Sequence, residues 1–271
     1  NSEEITGVVG QNLRDEKGVL QRNLFLVSLK QDISLDLSFD DINVPASSSE
    51  ELRDFYKELE FNSFIGEANE KRKSDYKTIT NENELEKLTS KIIEADYFAF
   101  DTETTSINSL EAELVGASFS VKKDEGFYIP INHVEQTELS ANQLIEWLKQ
   151  LLEKYQNKII GQNLKYDIAV LRNHDIQIEE FFADTMLMSY ATNSTSSRHN
   201  LDALAEYYLN TTTIKYEDVI GKGAKKYKSF SEVPIKDATN YAAEDADITL
   251  QLYEKLSEII DKSSTNLLKT I

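Results

Sequence analysis

Tyr97-Phe98-Ala99-Phe100-Asp101-Thr102-Glu103-Thr104 decides the fold. Four apolar or aromatic residues read as a buried strand, and two acids follow it one residue apart. Side chains on a strand alternate faces, so Asp101 and Glu103 point the same way. Two further segments carry acids in helical patterns: Gly161-Gln162-Asn163-Leu164-Lys165-Tyr166-Asp167 and Tyr241-Ala242-Ala243-Glu244-Asp245-Ala246-Asp247. Residues four apart on a helix share a face, which sets Asp167 beside Asn163 and Asp245 beside Tyr241. Carboxylates gathered this way repel one another unless cations sit among them. A ligand set made only of oxygens suits hard cations such as Mg²⁺ or Mn²⁺. The chemistry that follows is two-metal cleavage of a phosphodiester.

The three blocks, in this order and setting, make the chain resemble the 3′–5′ proofreading exonuclease domain of bacterial DNA polymerase I, in the family A polymerases, of the four-carboxylate-plus-tyrosine type. The resemblance runs from about Tyr76 to about Ile260 and extends weakly upstream. It implies a ribonuclease-H-like α/β fold, a mixed central sheet with helices around it, preceded by a small, mostly helical segment. The implied organisation is residues 1–70 as the end of a 5′-nuclease domain plus linker, 71–262 as the exonuclease domain, and 263–271 as the start of a connection to a polymerase domain.

The resemblance also implies roles. Asp101 bridges two divalent ions, Glu103 and Asp245 complete the shell of the one that holds the attacking water, and Asp167 serves the second near the leaving 3′ oxygen. Tyr241, one turn before Asp245, orients the water; its bland reading is a half-buried packing residue. Some relatives carry histidine near this place, but His133, His174 and His199 all lie outside the third block. Thr104 and Ile107 fall where the family contacts and wedges the terminal nucleotide, Arg198 where it meets the phosphate backbone, and Tyr216 where an aromatic ring stacks on a base. Their bland readings are a hydroxyl cap, a core aliphatic, a surface cation and a core aromatic. Gln162 and Asn163 either cap the start of their helix or touch substrate. Tyr166 packs, Asp184 reads as a helix N-cap, and Asp247 is off-face, since two residues turn a helical side chain about 200°.

Bulk properties test this reading. The chain has 271 residues, enough for one domain and an appendage, and no cysteine, so disulfides and thiolate chemistry are excluded. It opens on Asn1 rather than Met, which reads as a piece of something longer. No apolar run nears the roughly 20 residues of a membrane span, and no signal peptide opens the chain. A cytoplasmic, bacterial, monomeric protein is expected. The net charge of −19 opposes simple nucleic-acid binding. Bound divalent ions are expected to neutralise part of that charge where the phosphate sits, and the resemblance implies that adjoining domains of a longer enzyme supply most of the DNA affinity. The basic run Gly221-Lys222-Gly223-Ala224-Lys225-Lys226-Tyr227-Lys228 is a solvated loop or a guide for a single strand.

Strands are expected near 76–79, 96–102, 113–121, 126–131 and 158–161, and helices over 49–59, 81–94 and 140–155, with a mostly helical remainder. The 45–51 stretch reads as a linker, and 67–75 as a polar connection. The expected activity is metal-dependent 3′–5′ degradation of a single-stranded DNA 3′ end to nucleoside 5′-monophosphates, beside the polymerase domain of a parent chain. The alternatives are an RNA 3′-end trimming nuclease of the ribonuclease D kind and a catalytically dead spacer. The latter is expected to have lost carboxylates, and all four are here.

Overall fold

The computed structural model describes residues 2–34, 74–195, 198–221 and 226–263, with Ser38, Leu52, Phe55, Tyr56, Leu59, Phe61 and Gly223 besides. Most of the expected 49–59 helix, the 45–51 linker, the 67–73 connection and three residues of the basic run lie outside the described residues. Two units separate, Asn1–Leu52 and Arg53–Ile271. In the first, helices α1 (Gly7–Asp15) and α2 (Lys17–Val27) follow one another, and Arg14 donates to the Ile5 carbonyl at 3.2 Å.

The second unit is built on a six-stranded mixed sheet: β1 (Asp75–Thr78), β2 (Phe98–Thr104), β3 (Leu114–Lys122), β4 (Glu125–Pro130), β5 (Ile159–Gly161) and β6 (Ala183–Asp184). In space the order is β1-β4-β3-β2-β5-β6. The pairs β2–β3 and β3–β4 are antiparallel; β1–β4, β2–β5 and β5–β6 are parallel. The expected strands therefore form, and the two-residue β6 is added at the edge.

The two faces of β2 divide the labour. Phe98 and Phe100 point into the main core with Phe119, Leu88, Ile92, Leu144 and Leu148. That core is closed by α3 (Glu82–Glu94) and α4 (Ala141–Tyr155). Asn81 caps α3 by accepting from Glu84 N, and Ser140 with Gln143 forms a capping box at α4, so both helices start where a polar side chain meets orphan N–H groups. On the opposite face Ala99 packs with Ile160 and with Leu250 of a 29-residue helix, Ile235–Ser263. Between β5 and that helix lie α5 (Leu164–Arg172), α6 (Thr185–Thr192), α7 (Leu201–Leu204) with a π-helical turn over Ala205–Leu209, and α8 (Tyr216–Ile220); the long helix is α9.

Small residues bring α9 close to the sheet. Ala238, Ala242, Ala243 and Ala246 are fully buried. A Cβ on Gly126 of β4 would stand 2.5 Å from the Ala243 carbonyl oxygen, so only glycine fits beneath the helix there. Among the described residues no helix is long and apolar enough to cross a membrane.

Candidate active site

The strand alternation works as expected: Asp101 and Glu103 share the face that α9 covers, opposite Ser118 and Gly116 of β3 in register. The register slips between Glu103 and Thr104, leaving Val115 as an extra residue on β3. A bulge at a strand end re-aims the side chains beside it. From α9 comes Asp245. Oxygens of Asp101, Glu103 and Asp245 lie within 4.8 Å of one another. Glu103 and Asp245 are buried; Asp101 is partly open.

Asp167 stands next to this trio and is not part of it. It lies in the first turn of α5 and is buried. Its Oδ1 accepts from the Thr102 hydroxyl at 2.6 Å and from the Thr102 backbone N–H at 3.1 Å. Thr102, between the two acids of β2, thus ties α5 to the strand. Sequence reading assigned Thr102 nothing; its one signal is a hydroxyl between two acids on a strand.

Burial and mutual repulsion drive these groups toward protonation. Burial, then Asp245, pushes the Asp101 carboxyl up to about 8. Glu103 is held well above the carboxylate range by burial, then by Asp101, Asp245 and Asp167. Asp167 is raised by burial and by Asp101. Asp245 is also raised by burial, against the opposing effect of the neighbouring Tyr241 hydroxyl. The groups acting on the four are other acids, hydroxyls and backbone N–H; no cation counts among them. An oxygen-only donor set so crowded fits a hard divalent cation, which restores the charged forms.

Tyr241 is half-buried one turn before Asp245, and burial with the nearby carboxylates keeps its phenol protonated. Its ring sits 5.9 Å from Phe230 and 6.2 Å from Tyr216 between centroids. Tyr216 stacks on Phe230 at 6.2 Å and 13°, yet remains 45% exposed, so one part of the ring is free. Glu244 holds this corner by accepting from Ile214 N at 2.6 Å.

Ile107 is 98% exposed, which excludes its reading as a core aliphatic. The Thr104 hydroxyl meets the Ser106 carbonyl at 3.1 Å and the Tyr166 hydroxyl at 2.5 Å, so Tyr166 hydrogen-bonds as well as packs. Arg198 is exposed. Neither Gln162 nor Asn163 caps α5 through its side chain. Asn163 adopts the left-handed region at φ 63°, and Asp184 accepts from the first N–H groups instead. Gln162 Nε2 donates to the His199 carbonyl at 2.8 Å. Asp247 is off-face: it accepts from Tyr76, from Asp124 N and from Gln251.

Two features behind Glu103 had no sequence signal. Tyr128, fully buried, places its hydroxyl 2.7 Å from His133 Nε2. Gly116 makes room for it, since a Cβ there would fall 2.1 Å from that hydroxyl. A cavity of about 640 Å³ lies on the β1 side of α9 among Tyr76, Thr78, Thr239 and Asn240 and holds none of the four carboxylates. The chemistry belongs with the carboxylates, where charge is concentrated.

The chain is similar to known proteins in sequence and in fold. The chain is 38% identical over 251 residues to DNA polymerase I of Pseudomonas aeruginosa, covering 85% of this chain and 27% of that protein. It is 40% identical over 178 residues to DNA polymerase I of Borreliella burgdorferi, covering 66% and 19%. The chain thus spans about a quarter or less of the curated relatives it matches. In fold it is similar to the Nibbler EXO domain of Aedes aegypti, with a TM-score of 0.51 and 14% identity over 69% of this chain and 89% of that one. The architecture is the ribonuclease-H-like fold, a mixed sheet with helices around it. The sequence model of the 3′-5′ exonuclease family matches residues 76–261, and the chain belongs to that family.

Proposed function

We propose that this chain is the proofreading domain of a DNA polymerase I, removing nucleotides from a single-stranded or frayed DNA 3′ end as nucleoside 5′-monophosphates. The observation that carries the reading is the convergence of Asp101, Glu103 and Asp245 within 4.8 Å, with Asp167 beside them. Asp101, Glu103 and Asp245 would hold one divalent cation, Mg²⁺ or Mn²⁺, and Asp101 with Asp167 a second. Bound there, the cations supply positive charge for the phosphate oxygens and acidify water.

The chain's own residues orient the reactants. Water adds to phosphorus and the bond to the 3′ oxygen breaks, leaving a new 3′ hydroxyl. Tyr241, its phenol protonated beside Asp245, would hold that water by hydrogen bonding. Tyr216 offers the exposed part of its ring to a base, Ile107 its exposed side chain to the terminal nucleotide, and Arg198 its charge to a phosphate. Thr104, Gln162 and Asn163 would contact the substrate. A monomer in the bacterial cytoplasm, joined to a polymerase domain, fits this role.

Digestion of 5′-labelled single-stranded DNA and RNA of the same sequence tests the proposal. DNA should shorten stepwise from the 3′ end with Mg²⁺ or Mn²⁺ and not in excess chelator. Preferential degradation of RNA would favour the trimming-nuclease alternative, and no degradation of either would favour a spacer.

A further inference from the structure

Asp184, at the end of β6, is a buried carboxylate, 5% exposed, that the chemistry above does not use. It accepts from four backbone N–H groups. Met186 at 2.9 Å and Leu187 at 3.2 Å are the ordinary N-cap partners at the start of α6. Leu164 at 2.8 Å and Asn163 at 3.3 Å open a different helix, α5. A left-handed residue followed by a helical one turns successive N–H groups to one side, a concavity shaped for an anion. The left-handed Asn163 makes that concavity, and the Asp184 carboxylate fills it. One side chain therefore starts two helices, and Asp167 lies in the first turn of one of them.

Thr185 is tied to another part of the site. Its hydroxyl meets the Gly161 carbonyl at 3.1 Å and Gln162 Oε1. Gln162 Nε2 then holds the His199 carbonyl at 2.8 Å, and Ser189 of α6 meets His199 Nδ1 at 2.9 Å. The residue before His199 is Arg198.

We infer that Asp184 and Thr185 are positioning residues that set two parts of the site from one point. Asp184 places Asp167 through the start of α5. Thr185 places the Arg198 segment through Gln162. The inference rests on the assignment of Asp167 to a cation and Arg198 to a phosphate. The chemistry at Asp184 is specific: Oδ1 accepts from Asn163, Met186 and Leu187 and Oδ2 from Leu164, so asparagine, with one acceptor oxygen and one donor nitrogen, would turn its amide NH₂ on the Leu164 N–H that opens α5. A misplacement of about 1 Å costs on the order of a hundredfold in rate.

The test measures kcat and KM on a single-stranded DNA oligonucleotide, together with calorimetric titration of Mn²⁺ alone. Asp184→Asn should lower kcat by about 10- to 100-fold, the range that displacement implies, with KM held near the parent value. It should also weaken the Mn²⁺ binding event that Asp167→Asn removes. Thr185→Val should raise KM severalfold and leave kcat near the parent value. If asparagine prevents folding, Asp184→Ser, whose hydroxyl still caps α6, is measured in its place. A fall in melting temperature with kcat, KM and Mn²⁺ binding of the folded protein unchanged is the signature of a purely structural cap and overturns the inference. Parent-like Asp167→Asn would overturn the site assignment and the inference with it. An inactive Asp167→Asn beside parent-like Asp184 and Thr185 variants overturns the inference alone.

Discussion

Tyr241 stands one turn before Asp245 on α9, its phenol beside the Asp245 carboxylate. That hydroxyl favours the charged form of Asp245 against the burial that raises it. One residue thus supports a cation ligand while presenting a protonated phenol to the site.

Tyr241→Phe keeps the ring against Phe230 and Tyr216, so melting temperature should barely move. The rate should fall by about 10- to 1,000-fold if the hydroxyl positions water. The Mg²⁺ concentration for half-maximal rate should rise slightly, because Asp245 loses the neighbouring hydroxyl that favours its charged form. Equal activity in Tyr241→Phe and the parent would return the residue to packing alone.

Asp101→Ala removes the carboxylate at the centre of the cluster. The rate should drop about a thousandfold or more, equivalent to about 4 kcal/mol of transition-state stabilisation. In chelator the variant should melt no lower than the parent, since a buried carboxyl crowded by other acids has gone. Single-turnover digestion and thermal melting check the two halves separately.

The parts that sequence displays are those set by local periodicity. Alternation put Asp101 and Glu103 on one face, and the four-residue helical spacing put Tyr241 with Asp245; both hold. What joins distant segments was hidden. Asp184 reads as the cap of the helix that follows it, but nothing local says that it also starts α5, twenty residues earlier in the chain. The Tyr128–His133 bond depends on the space left by Gly116, a tertiary fact. Ile107 looked equally suited to a core, and only the loop that carries it decides its exposure.

Without cations, stability should fall as pH rises. The folded-state pKa of Asp101 is raised to about 8, above the value of roughly 3.9 expected in the unfolded chain. Between these values the folded protein binds the extra proton, so the slope of unfolding free energy with pH is negative. The contribution is fully present below the unfolded value and is lost as pH climbs through about 8. Glu103, Asp167 and Asp245 act in the same direction. Melting in chelator at pH 5 should therefore exceed melting at pH 8, and saturating Mg²⁺ should shrink or reverse the difference. A rise in stability from pH 5 to pH 8 in chelator would contradict the crowding of unpaired acids.

Gly126→Ala tests whether the close seating of α9 makes the site. The added methyl would stand 2.5 Å from the Ala243 carbonyl oxygen and 2.9 Å from its Cβ. These are backbone and core atoms with no free rotamer, so the helix must lift or the strand bend. Overpacking of this kind costs about 1–3 kcal/mol of stability. Asp245 lies two residues from Ala243 on the same helix, and the displacement carries it away from Asp101 and Glu103 on the sheet. The rate should therefore fall by about 10- to 100-fold, as a misplacement near 1 Å implies, even at a temperature where the variant is fully folded. Raising Mg²⁺ should recover part of the loss, because the carboxylates survive and only their spacing has changed. A variant that melts early but keeps the parent rate when folded would separate the seating of α9 from the chemistry.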